Sequence, residues 1–415
     1  MDYIKLSIPV FFLLIGIELL IDRIRKTNYY RFNDAVTNLS CGIGSQLSGI
    51  FLKLLTFSAY VFIYNHFSLF KGQIPFAWWS IVILFVAVDF FYYWFHRLAH
   101  EISVLWGSHI VHHQSEEYNL TVALRQAWLQ GAFSWVFYVP LAFIGFEPLM
   151  FATIASFQTL YQFWIHTKFI NKMHPAIEYV FNTPSHHRVH HGVNPQYIDK
   201  NHGGTLIIFD RMFGTFQLEE EEVVYGITKQ PKSWNPIWVN FEYWIDLFAK
   251  VFRVKQINNK LKMLFGSPGW KPEELGGVEA STPVSPATFN KYDTESPLSL
   301  NLYVLFHFTL VLLGTSAFLF SLNHFSWPWK VYITAMIIFS LTNIGGIFES
   351  KKWVLYVEYL RLFLITLTFF IAAYNQSYFW IVFVFQSAFF IISVLWISKY
   401  FEIFSKKAEW QLNAV

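Results

Sequence analysis

The sequence predicts an all-α, multi-pass integral membrane protein with about nine spans and a histidine-rich di-metal site on one membrane face. Three observations carry that expectation. The 415-residue chain is 54% hydrophobic and only 14% charged, against about 25% charged residues in soluble domains. Apolar runs long enough to cross about 30 Å of hydrocarbon recur along it. Eleven of its fifteen histidines fall between His96 and His191.

The spans read in order as 6–21, 54–70, 76–95, 128–145, 148–165, 300–320, 331–348, 354–373 and 378–398. The run at 6–21 lacks a small-residue cleavage site and is followed by Arg23, Arg25 and Lys26, so it reads as an anchor. The stretch 36–52 reads as an interfacial helix, because Lys53 suits a membrane edge. Basic residues follow the first span (through Arg31), lie between the seventh and eighth (Lys351, Lys352) and follow the last (Lys399, Lys406, Lys407). The positive-inside tendency then places the N-terminus outside and the C-terminus in the cytoplasm. Four blocks result: an anchor at 1–75, a chemistry-bearing domain at 76–265 that ends in a polar stretch, a Pro/Gly/Ser-rich linker at 266–299, and a four-helix membrane bundle at 300–415. One cysteine, Cys41, excludes a disulfide framework or thiolate cluster. A net charge of +3 gives no support for nucleic-acid binding.

The histidines recur at helical spacing. "HRLAH" puts His96 and His100 four apart, on one helix face. "HIVHH" spaces His109, His112 and His113 at i, i+3 and i+4, and "SHHRVHHG" repeats this with His187, His190 and His191. Thr183, Pro184 and Gly192 supply the start and stop of a short helix around that last group. His166 closes the fifth span. By the predicted topology all four elements reach the same membrane face. Packed imidazoles repel if charged and leave nitrogens unpaired if buried, whereas neutral imidazole is a good ligand for Zn, Fe, Cu and Ni. Eight or nine imidazoles exceed the needs of one ion, which implies two. His66, His174, His202, His307 and His324 read as polar caps or surface residues, with His307 isolated within a span.

"HRLAH", "HIVHH" and "HHRVHH" resemble the three histidine boxes of the fatty acid hydroxylase/sterol desaturase superfamily, membrane-bound non-haem di-iron oxygenases. The longer stretches "DFFYYWFHRLAHE", "NLTVALRQAW", "YQFWIHTKFI", "NTPSHHRVHHG" and "DKNHGGTLIIFDRMFGTF" are most similar to its pterin-dependent ether-lipid monooxygenases, over about residues 75–275. The resemblance implies two irons held by His96, His100, His109, His112, His113, His187, His190 and His191, with His166 as a ninth ligand. His186 is ambiguous. Glu101 matches a glutamate of those enzymes; read from the residues alone it orients a ligand, binds a pterin, or is only an edge charge. Asp89, two turns before His96 within an apolar span, is the second candidate catalytic carboxylate, with a hydrogen-bonding role. Arg125 and Gln126 are candidates to hold a pterin or a headgroup, a solvated arginine being the alternative.

The sequence has no haem, dinucleotide or iron–sulfur motif, so electrons for O2 chemistry must come from outside the chain. The resemblance implies tetrahydrobiopterin or another external reductant, O2 as co-substrate, and a membrane lipid hydroxylated beside its ether oxygen to release a fatty aldehyde. It implies the endoplasmic reticulum as location in a eukaryote and the inner membrane in a bacterium. The same scaffold also serves hydroxylation or desaturation of fatty acyl, sterol or aminolipid substrates. From another class, a metal transporter would place its ligands near the bilayer midplane. Tyr92, Trp94, Trp128 and Trp164 read as an interfacial aromatic belt or an acyl channel. "HGGTLIIFDRMFGT" (202–215) reads as a strand-like cover over the site, and "EEEE" (219–222) as a solvated loop.

Overall fold

The computed structural model describes residues 3–278, 284 and 289–405. Residues 279–283 and 285–288 of the predicted linker, and Lys406 and Lys407, lie outside the described residues. The chain divides into two compact units, one of residues 1–232 with 239–292, the other of 233–238 with 293–415. Among the described residues there are helices and two isolated bridges, Phe181 with Leu206 and Gly192 with Tyr225, and no strand.

In the first unit the helices are α1 (Tyr3–Arg25), α2 (Phe32–Phe67), α3 (Trp78–Glu101), α4 (Ser103–Gly107), α5 (Ile110–His113), α6 (Gln130–Ser134), α7 (Val139–Ile144), α8 (Pro148–Trp164), α9 (Pro175–Val180), α10 (Pro184–His190), α11 (Ile208–Phe213), α12 (Pro236–Arg253, from Val239 onward) and α13 (Ile257–Phe265). The second holds α14 (Leu298–Phe320), α15 (Trp327–Phe348), α16 (Val354–Ala373), α17 (Phe379–Ser398) and α18 (Phe401–Ser405). Seven of the described helices, α1, α2, α3 and α14 to α17, are long and apolar enough to span a membrane.

Two of the nine expected spans are therefore corrected. The run 128–145 is split into α6, a 3₁₀ turn at Trp135–Tyr138 and α7, with Pro140 in its first turn. Proline has no N–H to continue the preceding helical ladder. At 17 residues α8 is about 26 Å long, short of the hydrocarbon thickness. It packs instead against α1 and α3.

The stretch 36–52 is not a surface helix either, since α2 runs unbroken through it. Its first half buries polar residues against the loop after α5: Asn38 Nδ2 donates to Thr121 Oγ1 (3.1 Å) and Ser115 Oγ to Asp34 Oδ2 (2.8 Å). A Cβ on Gly44 would stand 2.1 Å from the Trp128 ring, so glycine lets that indole lie on the helix. Trp128 is thereby a packing residue, its Nε1–H donating to Cys41 O at 3.1 Å, and belongs to neither a belt nor a channel. The strand-like reading of 202–215 also fails. Only Leu206 bridges, and Ile208–Phe213 turn into α11, capped by Gly214 at φ 77°.

Within the second unit His307 is not isolated. Its Nδ1 accepts from Arg361 Nη2 at 3.1 Å, and Arg361 Nε donates to Glu358 Oε2 at 2.7 Å. Tyr303 and Asn343 also donate to Glu358. A paired, hydrogen-bonded charge is the form in which ionisable groups are tolerated inside such a bundle.

Candidate metal centre

The nine histidines singled out by spacing and resemblance form two buried groups. His96, His100, His109, His113 and His190 make one, and His112, His166, His187 and His191 the other; in each, one nitrogen per ring lies within 4.8 Å of all the rest. Neither i, i+3, i+4 triplet stays within one group. The adjacent pairs His112–His113 and His190–His191 are divided between the groups, because consecutive helical residues point about 100° apart. Each "HH" therefore ties the two groups together at fixed spacing.

The outer ring nitrogens explain the orientation. His96 Nδ1 donates to His202 O (2.7 Å), His112 Nδ1 to Arg125 O (2.9 Å), His166 Nδ1 to Gln162 O (2.7 Å) and His190 Nδ1 to Lys200 O (2.9 Å). His109 Nδ1 meets Gln130 Oε1 at 3.1 Å, and His100 Nδ1 lies 3.5 Å from Asp199. Carbonyl oxygens only accept, so each Nδ1 facing one carries the proton and its Nε2 is left a bare lone pair. Yet His112 Nε2 and His166 Nε2 stand 3.2 Å apart, and His96 Nε2 and His109 Nε2 2.9 Å apart. His100, His190 and His191 have buried Nε2 atoms without a hydrogen-bond partner. Lone pairs turned on one another in a dry site repel, and a cation between them removes the conflict. The donor set fits two imidazole-bound metal ions, with carbonyls fixing the tautomers from behind as is usual for metal-bound histidine.

The electrostatics agree. Burial, then the charge of His100, pushes His109 down to about 3, and burial pushes His166 down to about 4. His112, His113, His187, His190 and His191 also lie well below the ordinary histidine value, first through burial and then through neighbouring imidazoles. All of these rings are neutral at pH 7, the form that ligates metal.

The other candidates occupy different places. Asp89 is fully buried and accepts Thr205 N–H and Leu206 N–H, both at 2.8 Å, so it fixes the loop whose His202 carbonyl holds His96. Asp210 secures the same loop through His202 N–H and Gly203 N–H, both at 2.7 Å. Glu101 is partly exposed and paired with Arg97 at 2.8 Å. Arg125 is not solvated: its guanidinium donates to Val111 O (2.7 Å), Asn38 Oδ1 (3.0 Å) and Gln114 Oε1 (2.9 Å), bracing the segment that carries His112 and His113. Gln126 donates to Ala123 O at 3.0 Å. His186 is buried beside Phe216 and belongs to neither group. Tyr92 lies against His96, ring centroids 5.2 Å apart, and Trp94 packs on Phe213.

Two contributors carried no sequence signal as functional residues, and a third carried a faint one. The His202, Gln162 and Lys200 carbonyls are backbone atoms and independent of residue type. Tyr118 stacks between His166 and Tyr225 and donates to Ile165 O at 3.0 Å. Arg188, inside the third histidine motif, is clamped by Glu219 with two bonds of 2.7 Å, so the first glutamate of "EEEE" is an anchor and not part of a solvated loop. An Arg between histidines and an acidic run thirty residues later was the one readable hint.

Nine buried imidazoles in two groups, beginning at the end of a membrane-spanning helix, define a histidine-rich membrane hydroxylase, and the fatty acid hydroxylase family model matches residues 81–215. The chain is 39% identical over 364 residues to the alkylglycerol monooxygenase of Xenopus tropicalis, covering 87% of this chain and 80% of that protein. It is 38% identical over 364 residues to the Homo sapiens enzyme (87% and 81%) and 39% over 371 residues to that of Danio rerio (88% and 82%). No solved structure gives a significant match. The chain belongs to the alkylglycerol monooxygenase family.

Proposed function

We propose that this protein is an O2-dependent ether-lipid monooxygenase acting on 1-O-alkylglycerols. One oxygen atom enters the alkyl carbon next to the ether oxygen; the other leaves as water with two electrons and two protons from a reduced pterin such as tetrahydrobiopterin. The resulting hemiacetal breaks its bond to the glycerol oxygen, giving a fatty aldehyde and a glycerol. The observation that carries the reading is the pair of buried imidazole groups with opposed lone pairs, in a chain with 38–39% identity to alkylglycerol monooxygenases over most of its length.

Iron bound at the two groups would supply the redox chemistry that activates O2. His96, His100, His109, His113 and His190 hold one ion and His112, His166, His187 and His191 the other. The carbonyls of His202, Arg125, Gln162 and Lys200 orient the rings, Asp89 braces the His202 loop, and Arg125 and Gln126 act as braces. Glu101, partly exposed at the C-terminal end of α3 and paired with Arg97, is the proposed contact for a cofactor arriving from water. Seven spans give the same parity as nine, so the proposed orientation keeps the N-terminus outside, with the site and C-terminus cytoplasmic, and the membrane is an endoplasmic reticulum or bacterial inner membrane. Ligands at a helix end rather than at mid-span argue against a metal transporter.

The test is turnover in membranes or detergent with Fe(II), O2, tetrahydrobiopterin and a 1-O-alkylglycerol, scoring fatty aldehyde. The expected result is pterin-dependent aldehyde that disappears in His187→Ala. Iron-loaded protein that makes no aldehyde but hydroxylates an acyl or sterol substrate overturns the substrate assignment.

A further inference from the structure

The 76–265 domain, expected to end in a polar stretch, closes over 239–265 in two amphipathic helices with more apolar surface than their packing uses. The inner faces of α12 and α13 bury Leu247, Val251 and Met263, together with Val254 between the helices, in a cluster that also takes in Trp270 and Leu275. A second apolar stripe stays uncovered. On α12 it is Ile245, Phe248 and Phe252, at i, i+3 and i+7; on α13 it is Ile257, Leu261 and Phe265, at i, i+4 and i+8. Phe252 and Phe265 are 78% and 62% exposed. Six large apolar side chains, three along each of two consecutive helices, are far from the scattered singles of an ordinary wet surface.

Position and charge say what covers them. Gly266, which ends α13, accepts Ser103 N–H at 2.9 Å and Ser103 Oγ–H at 3.1 Å, and Ser103 lies two residues beyond the end of membrane-spanning α3. The pair is thus bonded to the chain where that span leaves the hydrocarbon. The third arc of α12 carries Glu242, Asp246, Lys250 and Arg253, which excludes a transmembrane course. Between 239 and 265 five basic residues face two acidic ones, an excess that suits anionic headgroups. Lysine and arginine stems reach from an apolar surface to such headgroups.

We propose that α12 and α13 lie in the plane of the membrane interface, their Ile245–Phe252 and Ile257–Phe265 stripe sunk into the acyl boundary of an anionic leaflet. Tyr243 of α12 and Trp106 pack against one core cluster, and Trp106 lies 4.9 Å from His100, ring centroid to ring centroid. The platform therefore borders Ser103–Gly107, the short helix between His100 and His109 of the five-histidine group. This inference depends on the helices and the spans, not on which lipid reaction the site performs.

The experiment places the environment-sensitive fluorophore NBD on F252C, L261C and F265C, with R253C and K262C as exposed references on the polar faces, in nanodiscs containing 30% phosphatidylglycerol. Cys41 is buried and stays unlabelled. The three stripe sites should be quenched by brominated lipid and shielded from aqueous iodide, and the two references the reverse. Brominated phosphatidylglycerol should quench position 252 about twofold more than brominated phosphatidylcholine at equal mole fraction. Iodide access at the stripe equal to the references overturns the proposal. Shielding from both quenchers overturns it in favour of a protein cover, and equal quenching by the two lipids removes the anionic preference. Three independent sites keep the test decisive if one variant misfolds.

Discussion

Replacing Asp89 with Asn separates a brace from a reacting group. The carboxylate accepts two backbone N–H groups, Thr205 and Leu206, each at 2.8 Å and fully buried. Asn offers one acceptor oxygen and turns its NH2 toward the other N–H. One charge-assisted bond is lost, about 1.5–3 kcal/mol, and one buried donor goes unsatisfied, about 1–3 kcal/mol, for a total of roughly 3–5 kcal/mol. The loop then releases the His202 carbonyl that receives His96 Nδ1–H at 2.7 Å. Loss of such an outer partner lowers metal affinity about 10- to 100-fold. Purified Asp89→Asn should therefore melt earlier in detergent, and ion titration should show one weakened site. Wild-type melting and wild-type ion affinity, with turnover abolished, would refute the reasoning and place Asp89 among the groups that touch substrate.

Two further outcomes follow from the same geometry. His109 and His166 titrate near 3 and 4 when folded, against about 6.5 unfolded. A depressed histidine stabilises nothing extra above pH 6.5 and costs stability as pH falls below it, roughly 2 kcal/mol per group by pH 5. Chelator-treated protein should lose its fold at higher pH than metal-loaded protein in an acid melt; coincident curves would contradict the shifts. Gly44→Ala drives a methyl to within 2.1 Å of the Trp128 ring and should cost about 1–3 kcal/mol by overpacking, read as an earlier thermal midpoint; an unchanged midpoint would mean that α2 and Trp128 separate freely.

Much of the site was legible because histidine spacing is local. The periodicity at 96–100, 109–113 and 187–191 placed imidazoles on short helical faces, and the end of the apolar run at 148–165 located His166. What spacing could not carry was the partition. Spacing shows which imidazoles share a helix face but not how they divide, and only the convergence of four chain segments puts His112 and His113 in different groups. Arg125 read as a candidate for a pterin or headgroup, or else as solvated, because a lone arginine after a polar turn carries no mark of Asn38, Gln114 and the Val111 carbonyl closing around it. The spans at 128–145 and 148–165 had the hydropathy of crossings but not the length, and Pro140 was the local sign. The end of the 76–265 block read as polar because its apolar residues form stripes only at a 3.6-residue period, interleaved with charges.

The central claim is that two neighbouring imidazoles hold two different ions, and comparing His112→Ala with His113→Ala tests it most directly. Both proteins, loaded with ⁵⁷Fe, are measured for iron per chain and by Mössbauer spectroscopy. The account predicts close to one retained iron in His112→Ala, whose group falls from four donors to three, and weakened binding of the other iron in His113→Ala, whose group falls from five to four. The spectral component lost from one variant should be the component kept by the other. Loss of the same component from both, or an unaltered two-iron spectrum in both, would contradict the two-group centre.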